Sequence, residues 1–344
     1  MIFKGVDLCC PYCRGDLREV TRAERTFLCK SCERGFPVIF DIPDLRVFPD
    51  PYVEKDADRA KGLEIASRFD RSDFAALVDF YYSTTSVVPP ADAKRYTSGL
   101  MAGVARAEAS LISWEKSTAG DLRAASLLEI GCGTAPLMIA AAPRFKRMVG
   151  VDIAFRWLVV AKRRLADAGL DLPLVCACAE ALPFLDEAFD RVVADSALEH
   201  VADQPLALNE CHRVMTAAGY LFVSTPNRFS LGPDPQVGIW SGSLLPERWL
   251  AAYVRRQGGI PPKRHLLSAR KLSAMIRQAG FAPPRVTLPD ISKQQRSSFG
   301  SGAQVLIDLY QTAKQMPVSR QALELVGPLL HAVAAKQGGV QVGA

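Results

Sequence analysis

From Ser126 to Thr225 the chain alternates short apolar runs with longer amphipathic stretches. The run "SLLEIGC" (Ser126 to Cys132) is apolar and closes on glycines, and "APLMIAAA" then reads as a helix. A second run, "RMVGVD", ends in Asp152, and "AFRWLVVAKRRLADAG" follows as an amphipathic helix stopped by Gly169. The runs "LPLVCAC", "FDRVVAD" and "GYLFVST" supply a third, fourth and fifth strand. Apolar strands separated by helical crossovers predict an α/β fold with a doubly wound parallel sheet, because both faces of such a sheet must be covered. Ligands of these sheets sit beyond the carboxyl ends of the strands.

The flanks follow other patterns. "FPVIF" (Phe36 to Phe40) reads as a strand, and the polar residues 47–62, "VFPDPYVEKDADRAKG", read as a linker. Helical spacing covers Ile65 to Tyr82 and, after "VVPP", Ala91 to Glu115; we expect residues 63–120 to cap the site. Phe80, Tyr81 and Tyr82 are candidates for a pocket wall, though aromatic stripes more often serve a core. Residues 121–344 form the main domain. Within it, residues 226–264 are too long for a simple connection, with a helix expected over Leu245 to Gln257. They read as a substrate lid carrying Trp240, Trp249 and a basic edge of Arg255, Arg256, Lys263 and Arg264. "SARKLSAMIRQAGF" is a further helix and "PRVTLP" a sixth strand.

Cysteine spacing changes the picture at the N-terminus. Cys10-x2-Cys13 is followed after fifteen residues by Cys29-x2-Cys32. Two such knuckles predict a closed tetrahedral four-sulfur zinc site, structural because no coordination position stays open. Cys9 has the wrong spacing and reads as a buried or free thiol. Residues 1–46 thus form a zinc ribbon, expected to be an accessory module whose loss leaves the main domain's site intact. "CPYC", "CKSC" and "FPVIFDIP" resemble the small zinc-ribbon proteins that activate RNA and protein methyltransferases, with Asp41 where a glycine is common.

Charge adds less. The 344-residue chain carries +6 overall, but Asn227 to the end holds 15 Lys and Arg against 5 Asp and Glu. That basic third would suit an anionic acceptor or RNA, or a solvated surface. The apolar run Leu127 to Ala142 is broken by Glu129, Gly131 and Gly133, so no membrane span is expected. With no basic-then-apolar leader pattern, a reducing cytoplasm is expected, where nine cysteines read as metal ligands or buried thiols.

The glycine loop runs Glu129-Ile-Gly131-Cys132-Gly133-Thr-Ala135-Pro136. Pro136 replaces the last small residue of a dinucleotide fingerprint, which argues against NAD or FAD, and it suits the first turn of a helix. Asp152, ending the second strand, would accept hydrogen bonds from two ribose hydroxyls. Together "LLEIGCGTA", "VGVDIA", "AEALPFLDEAFD", "SALEHV" and "NECHRVMTAAGYLFVSTPN" resemble the class I S-adenosylmethionine-dependent methyltransferases over about Ser126 to Phe281. The resemblance implies a seven-stranded Rossmann-like sheet whose last strand, within Gly327 to Gln337, runs antiparallel. It implies S-adenosyl-L-methionine as cofactor. Glu129, Gly131, Cys132 and Gly133 would line its methionine half. Asp152 and Ile153 would hold the ribose and adenine. Cys178, Ala179 and Glu180 would lie at the adenine edge, with Asp195 near the reacting end. Cys178 stands where the family usually has Asp, and a thiol is a weak acceptor.

Methyl transfer from a sulfonium is mainly a positioning problem, though a hydroxyl acceptor often needs a base. His200, Asp195 and His265 are the candidate bases. His200 equally suits a structural role in its turn. The leading expectation is O-methylation of a small molecule or saccharide, since motifs for exocyclic amines and for pyrimidine C5 are missing. An RNA methyltransferase and a non-catalytic cofactor-binding or partner-activating module are the alternatives.

Overall fold

The computed structural model describes the chain except residues 22–23, 86, 119–121, 233, 235, 290, 292–295, 297–300 and 338–344. Its central sheet has seven strands: β1 (Ser126–Ile130), β2 (Arg147–Asp152), β3 (Leu174–Cys176), β4 (Phe189–Asp195), β5 (Met215–Pro226), β6 (Arg285–Thr287) and β7 (Leu329–Ala335). They lie in the order 6-7-5-4-1-2-3. All pairs from β3 to β5 are parallel, and β7 runs antiparallel to β5 and β6. Every residue of β1 is buried, as a central strand covered on both faces requires. This order, with its one reversed strand, is that of the Rossmann-like methyltransferase fold. "LLHAVAA" fits a helix or a strand by pattern. The slot between β5 and β6, where Leu330 to Ala334 are buried, decides for a strand.

The N-terminal segment forms an antiparallel ribbon from Leu17–Thr21, Arg25–Cys29 and Gly35–Ile39, extended by Ile42–Pro43. It is not an accessory on a tether. Phe3, Leu8 and Phe27 belong to one apolar cluster with Leu182, Phe184 and Phe189 of the main domain. Cys9 is buried at that seam, its N–H donating to Pro183 O at 2.9 Å. The chain leaving the ribbon then joins the free edge of β3, with Asp44 bridged in parallel to Cys176 and Leu45 N–H donating to Cys176 O at 2.7 Å.

Residues 47–62 are likewise not a linker. A helix occupies Lys55–Ala66, and Asp50 and Asp58 are buried. The polar composition that suggested a tether instead supplies a buried ion network. Arg46, at 1% exposure, sends a two-pronged fork to Asp44 at 2.9 and 2.7 Å. It also donates to Asp58 at 2.7 Å and to Ile153 O at 3.0 Å. Arg156 bridges Asp50 and Asp58 at 2.9 and 2.6 Å. Asp58 accepts the backbone N–H of Phe155 at 2.8 Å, capping the helix Phe155–Asp167 where its positive pole favours a carboxylate.

The two helices expected upstream of β1 are four, at Lys55–Ala66, Phe74–Thr84, Pro90–Met101 and Gly103–Glu115. Tyr81 is core, packed on Trp157 with ring centroids 4.4 Å apart. Phe80 lies beneath the Arg68 guanidinium, 3.9 Å from its ring centroid, and Tyr82 packs between Tyr96 and Trp157.

Candidate functional site

The glycine loop, residues 131–135, follows β1. Gly131 and Gly133 have φ of +70° and +51°, conformations that favour glycine. A methyl group on Gly131 would stand 2.3 Å from the Ala197 Cβ, whereas one on Gly133 would meet nothing within 4 Å. Gly131 is therefore required by the protein's own packing, while the chain passes Gly133 beside open space. Cys132 is buried and points away from that space, beneath the loop beside Gly150.

Three carboxylates surround this loop. Glu129 is 3% exposed, and its Oε2 has no hydrogen-bond partner among the described residues. Burial first, then the charges of Asp195 and Asp152, pushes its carboxyl well above the usual range. Asp152 accepts Gly133 N–H and Ala154 N–H, each at 2.8 Å. Burial still outweighs those bonds and raises its carboxyl to about 6. Asp195 ends β4, close enough for its charge to act on both Glu129 and Glu199, and burial raises it too. An orphaned buried oxygen, a left-handed glycine with room above it and a strand-end carboxylate fit a ligand with a cationic group and vicinal hydroxyls.

The residues expected at the adenine edge have these surroundings. Cys178 is fully buried, and its thiol exchanges hydrogen bonds with the backbone of Phe48: it accepts Phe48 N–H at 3.3 Å and donates to Phe48 O at 3.5 Å. It thus faces the strand leaving the ribbon. Ala179 is 9% exposed, and Glu180 is spent on the backbone N–H groups of Ala202 and Asp203 at 3.2 and 3.3 Å. Ile153 is half-buried, with its carbonyl held by Arg46.

His200 sits in the turn Leu198–His200 beyond β4, where three segments converge. Its Nδ1 lies 3.4 Å from both the Tyr52 hydroxyl and the Lys263 carbonyl, and its Nε2 lies 2.8 Å from the Gln236 amide. Burial lowers its pKa, so the ring is neutral near pH 7. Neighbouring Glu199, 2% exposed, accepts the Thr225 hydroxyl at 3.0 Å, and burial raises it to about 7. His265 is tied to this turn through its backbone, donating to Glu199 O at 2.7 Å, while its side chain is exposed.

The helix expected over Leu245 to Gln257 spans Glu247–Arg256. Its expected basic edge is divided. Arg264 is buried in a pair with Asp234, which also accepts Gln236 N–H and Val237 N–H at 3.0 and 3.1 Å. Lys263 donates to Pro51 O at 2.6 Å and holds Tyr52 through its backbone N–H at 2.9 Å. Trp240 and Trp249 are more than 60% exposed and project into solvent. Sequence reasoning missed Arg46, Asp50, Tyr52 and Gln236. The pairing of Arg46 with acidic neighbours was visible, but nothing local distinguishes a buried ion network from a solvated one.

The four cysteines form a second centre. Their Sγ atoms lie within 4.8 Å of one another, with Cys10–Cys32 at 3.6 Å and Cys13–Cys29 at 3.5 Å. The two knuckles repeat one geometry. Arg14 and Glu33, each just after a second cysteine, have φ of +57° and donate N–H to Cys10 O and Cys29 O at 2.8 and 3.1 Å. Four sulfurs about one metal with bonds of ~2.3 Å would stand roughly 3.8 Å apart, close to these separations.

Residues 128–223 match the family described as "Methyltransferase domain". With the strand order, this match marks residues 128–223 as a methyltransferase domain of Rossmann-like fold. Over 102 residues it is 36% identical to the ubiquinone biosynthesis O-methyltransferase of Brucella anthropi, covering 30% of this chain and 41% of that one. Over 131 residues it is 37% identical to the ubiquinone/menaquinone biosynthesis C-methyltransferase of Bordetella avium, covering 37% of this chain and 50% of that one. The chain thus spans half or less of these two relatives. Haemonchus contortus phosphoethanolamine N-methyltransferase 2, solved with S-adenosylhomocysteine, aligns at TM-score 0.46 and 17% identity over 66% of this chain and 52% of its own. Among the described residues no helix is long and apolar enough to cross a membrane.

Proposed function

We propose that this protein transfers a methyl group from S-adenosylmethionine to a hydroxyl of a small organic acceptor, a saccharide included. The observation that carries the reading is the orphaned, buried Glu129 oxygen near the end of β1, just ahead of the glycine loop. When bound, the cofactor supplies an electrophilic methyl group on a sulfonium. Glu129, Gly131 and Gly133 would hold its methionine half, and Asp152 its ribose hydroxyls. His200 is neutral and its Nε2 is held by the Gln236 amide at 2.8 Å; an acceptor hydroxyl that displaces this amide would give its proton to Nε2 as the oxygen attacks, leaving an imidazolium whose Nδ1–H faces Lys263 O. Asp195, at the end of β4, would supply negative charge facing the sulfonium. The insert carrying Gln236 and Arg264 would close over the acceptor and exclude water.

The O-methyltransferase names among the relatives support an oxygen acceptor. Several cations of the basic third are engaged internally, Arg264 with Asp234, Lys336 with Glu187 and Arg296 with Asp308, which favours a small acceptor over RNA. We also propose that Cys10, Cys13, Cys29 and Cys32 hold a structural Zn2+, whose closed coordination would keep it out of the reaction.

The test is transfer of labelled methyl groups into cell extract fractionated into RNA, protein, glycan and small molecules. Label in the small-molecule or glycan fraction is expected, and label confined to RNA would refute the reading.

A further inference from the structure

The segment Asp44 to Tyr52 leaves the cysteine ribbon and reaches both ends of the cleft. At Asp44 and Leu45 it adds to the edge of β3. Arg46 then holds the carbonyl of Ile153 at 3.0 Å, directly after Asp152. Phe48 is clamped in both directions on the Cys178 sulfur, at 3.3 and 3.5 Å. Asp50 ties the strap to Arg156 at 2.9 Å, and Tyr52 ends beside His200. Ile153 and Cys178 are the positions flanking the expected adenine site, so the strap runs along that end of the cleft before reaching the reacting end.

Phe48, followed by Pro49, is where this strap turns a side chain outward. Asp44, Arg46 and Asp50 are buried, yet Phe48 is 47% exposed while its backbone is fixed at both N–H and C=O. A half-exposed aromatic ring on an anchored backbone is preorganised for stacking, because little freedom remains to be lost when a flat ligand lands on it. The Cys178 thiol, by contrast, already spends its proton on Phe48 O and is no partner for a base edge.

We propose that Phe48 is a cofactor-binding residue that covers the adenine ring, and that the ribbon's exit strap is a wall of the cofactor site. This rests on the methyltransferase reading above. The strap replaces the missing carboxylate of the third strand: recognition of the base moves from a hydrogen bond at residue 178 to an aromatic face at residue 48. It also gives the four-cysteine ribbon a role in the site, since the ribbon fixes where the strap begins.

The experiment is calorimetric titration of S-adenosylhomocysteine into the full chain, as wild type, Phe48→Ala and Phe48→Tyr, alongside the melting temperature of each without ligand. Phe48→Ala is expected to weaken binding roughly ten- to a hundredfold, the range for one base–aromatic stack. Its melting temperature should stay close to wild type, and Phe48→Tyr should bind nearly as wild type does. Should Phe48→Ala melt early, Phe48→Leu, which keeps apolar bulk without an aromatic face, carries the test with the same expected loss. Binding within twofold of wild type in the Ala or Leu variant, or no recovery in Tyr, would overturn the proposal. Absence of binding by the wild type would instead overturn the methyltransferase reading beneath it.

Discussion

Replacing Arg46 by alanine would strand two buried carboxylates. Arg46 supplies two of the contacts to Asp44 and one to Asp58, and all three side chains have no exposed surface. Asp44 would keep the partly exposed Arg59, at 2.7 Å, and the backbone N–H of residue 46, at 3.3 Å, while Asp58 would keep Arg156 and the Phe155 N–H. Removing one partner of a buried, hydrogen-bonded ion pair costs about 3–5 kcal/mol, mostly the penalty of the charge left behind. At about 2–4 °C per kcal/mol in a domain of this size, the melting temperature should fall by about 6–20 °C. Arg46→Lys keeps a charge without the fork and should fall between the two. The pH dependence follows from Asp44. Burial pushes its carboxyl up, but the hydrogen bonds and charge of Arg46, with Arg59, hold it below the ordinary value of 3.8. A depressed carboxyl contributes stability above its unfolded pKa and loses it as pH falls through the folded one. The gap between wild type and Arg46→Ala should thus be full at pH 7 and shrink on acidification below about pH 4. Scanning calorimetry at pH 7 and pH 3.5 reads both effects. A loss under about 1 kcal/mol at pH 7, or a gap independent of pH, would refute the reasoning.

Other consequences are as direct. Gly133→Ala meets no protein atom within 4 Å and carries only the strain of its left-handed φ, about 1–2 kcal/mol, yet should lose S-adenosylhomocysteine binding, whereas Gly131→Ala adds a 2.3 Å clash with Ala197 to the same strain and should destabilise the protein further; melting and calorimetry separate them. Asp152, raised to about 6, must be ionised to accept ribose hydroxyls. Cofactor affinity should therefore climb by up to about tenfold per pH unit below about 6 and level off above it; a flat profile from pH 5 to 8 would contradict that role. Metal analysis should return one zinc per chain, and Cys29→Ser should both open the ribbon to protease and weaken cofactor binding, because the ribbon fixes where the strap begins at Asp44. His200→Ala should lower kcat by about a hundredfold or more with little change in cofactor affinity, the signature of a base rather than a binding residue.

The sheet was legible because its strands are apolar on both faces and each ends in a recognisable turn. The glycine loop, Asp152 and the four cysteines were legible because their chemistry depends on spacing within a few residues. What escaped was the path of residues 44–58. Arg46, Asp50 and Asp58 look like solvated surface when only their neighbours in sequence are known. Their burial depends on Arg156 and Ile153, about a hundred residues away. Cys178 was noticed as a departure, but its partner Phe48 lies 130 residues earlier. Tyr52 and Gln236 reach His200 from opposite sides of the sequence, and no periodicity announces such a meeting. Local rules read local chemistry, and the missed groups act only through tertiary contact.

The docking of the ribbon onto β3 also bears on how the protein is made. The strap emerges from the ribosome well before the strand it must pair with, 130 residues ahead for Phe48 and Cys178. At ~5–20 residues per second, the nascent chain waits roughly 7–26 s with that edge and the apolar face of Phe3, Leu8 and Phe27 unpaired. An early ion in the cysteine cluster would let this first segment hold its shape through the interval. Scarcity of the metal during synthesis would then be felt as aggregation of nascent chains, long before any finished molecule could be assayed.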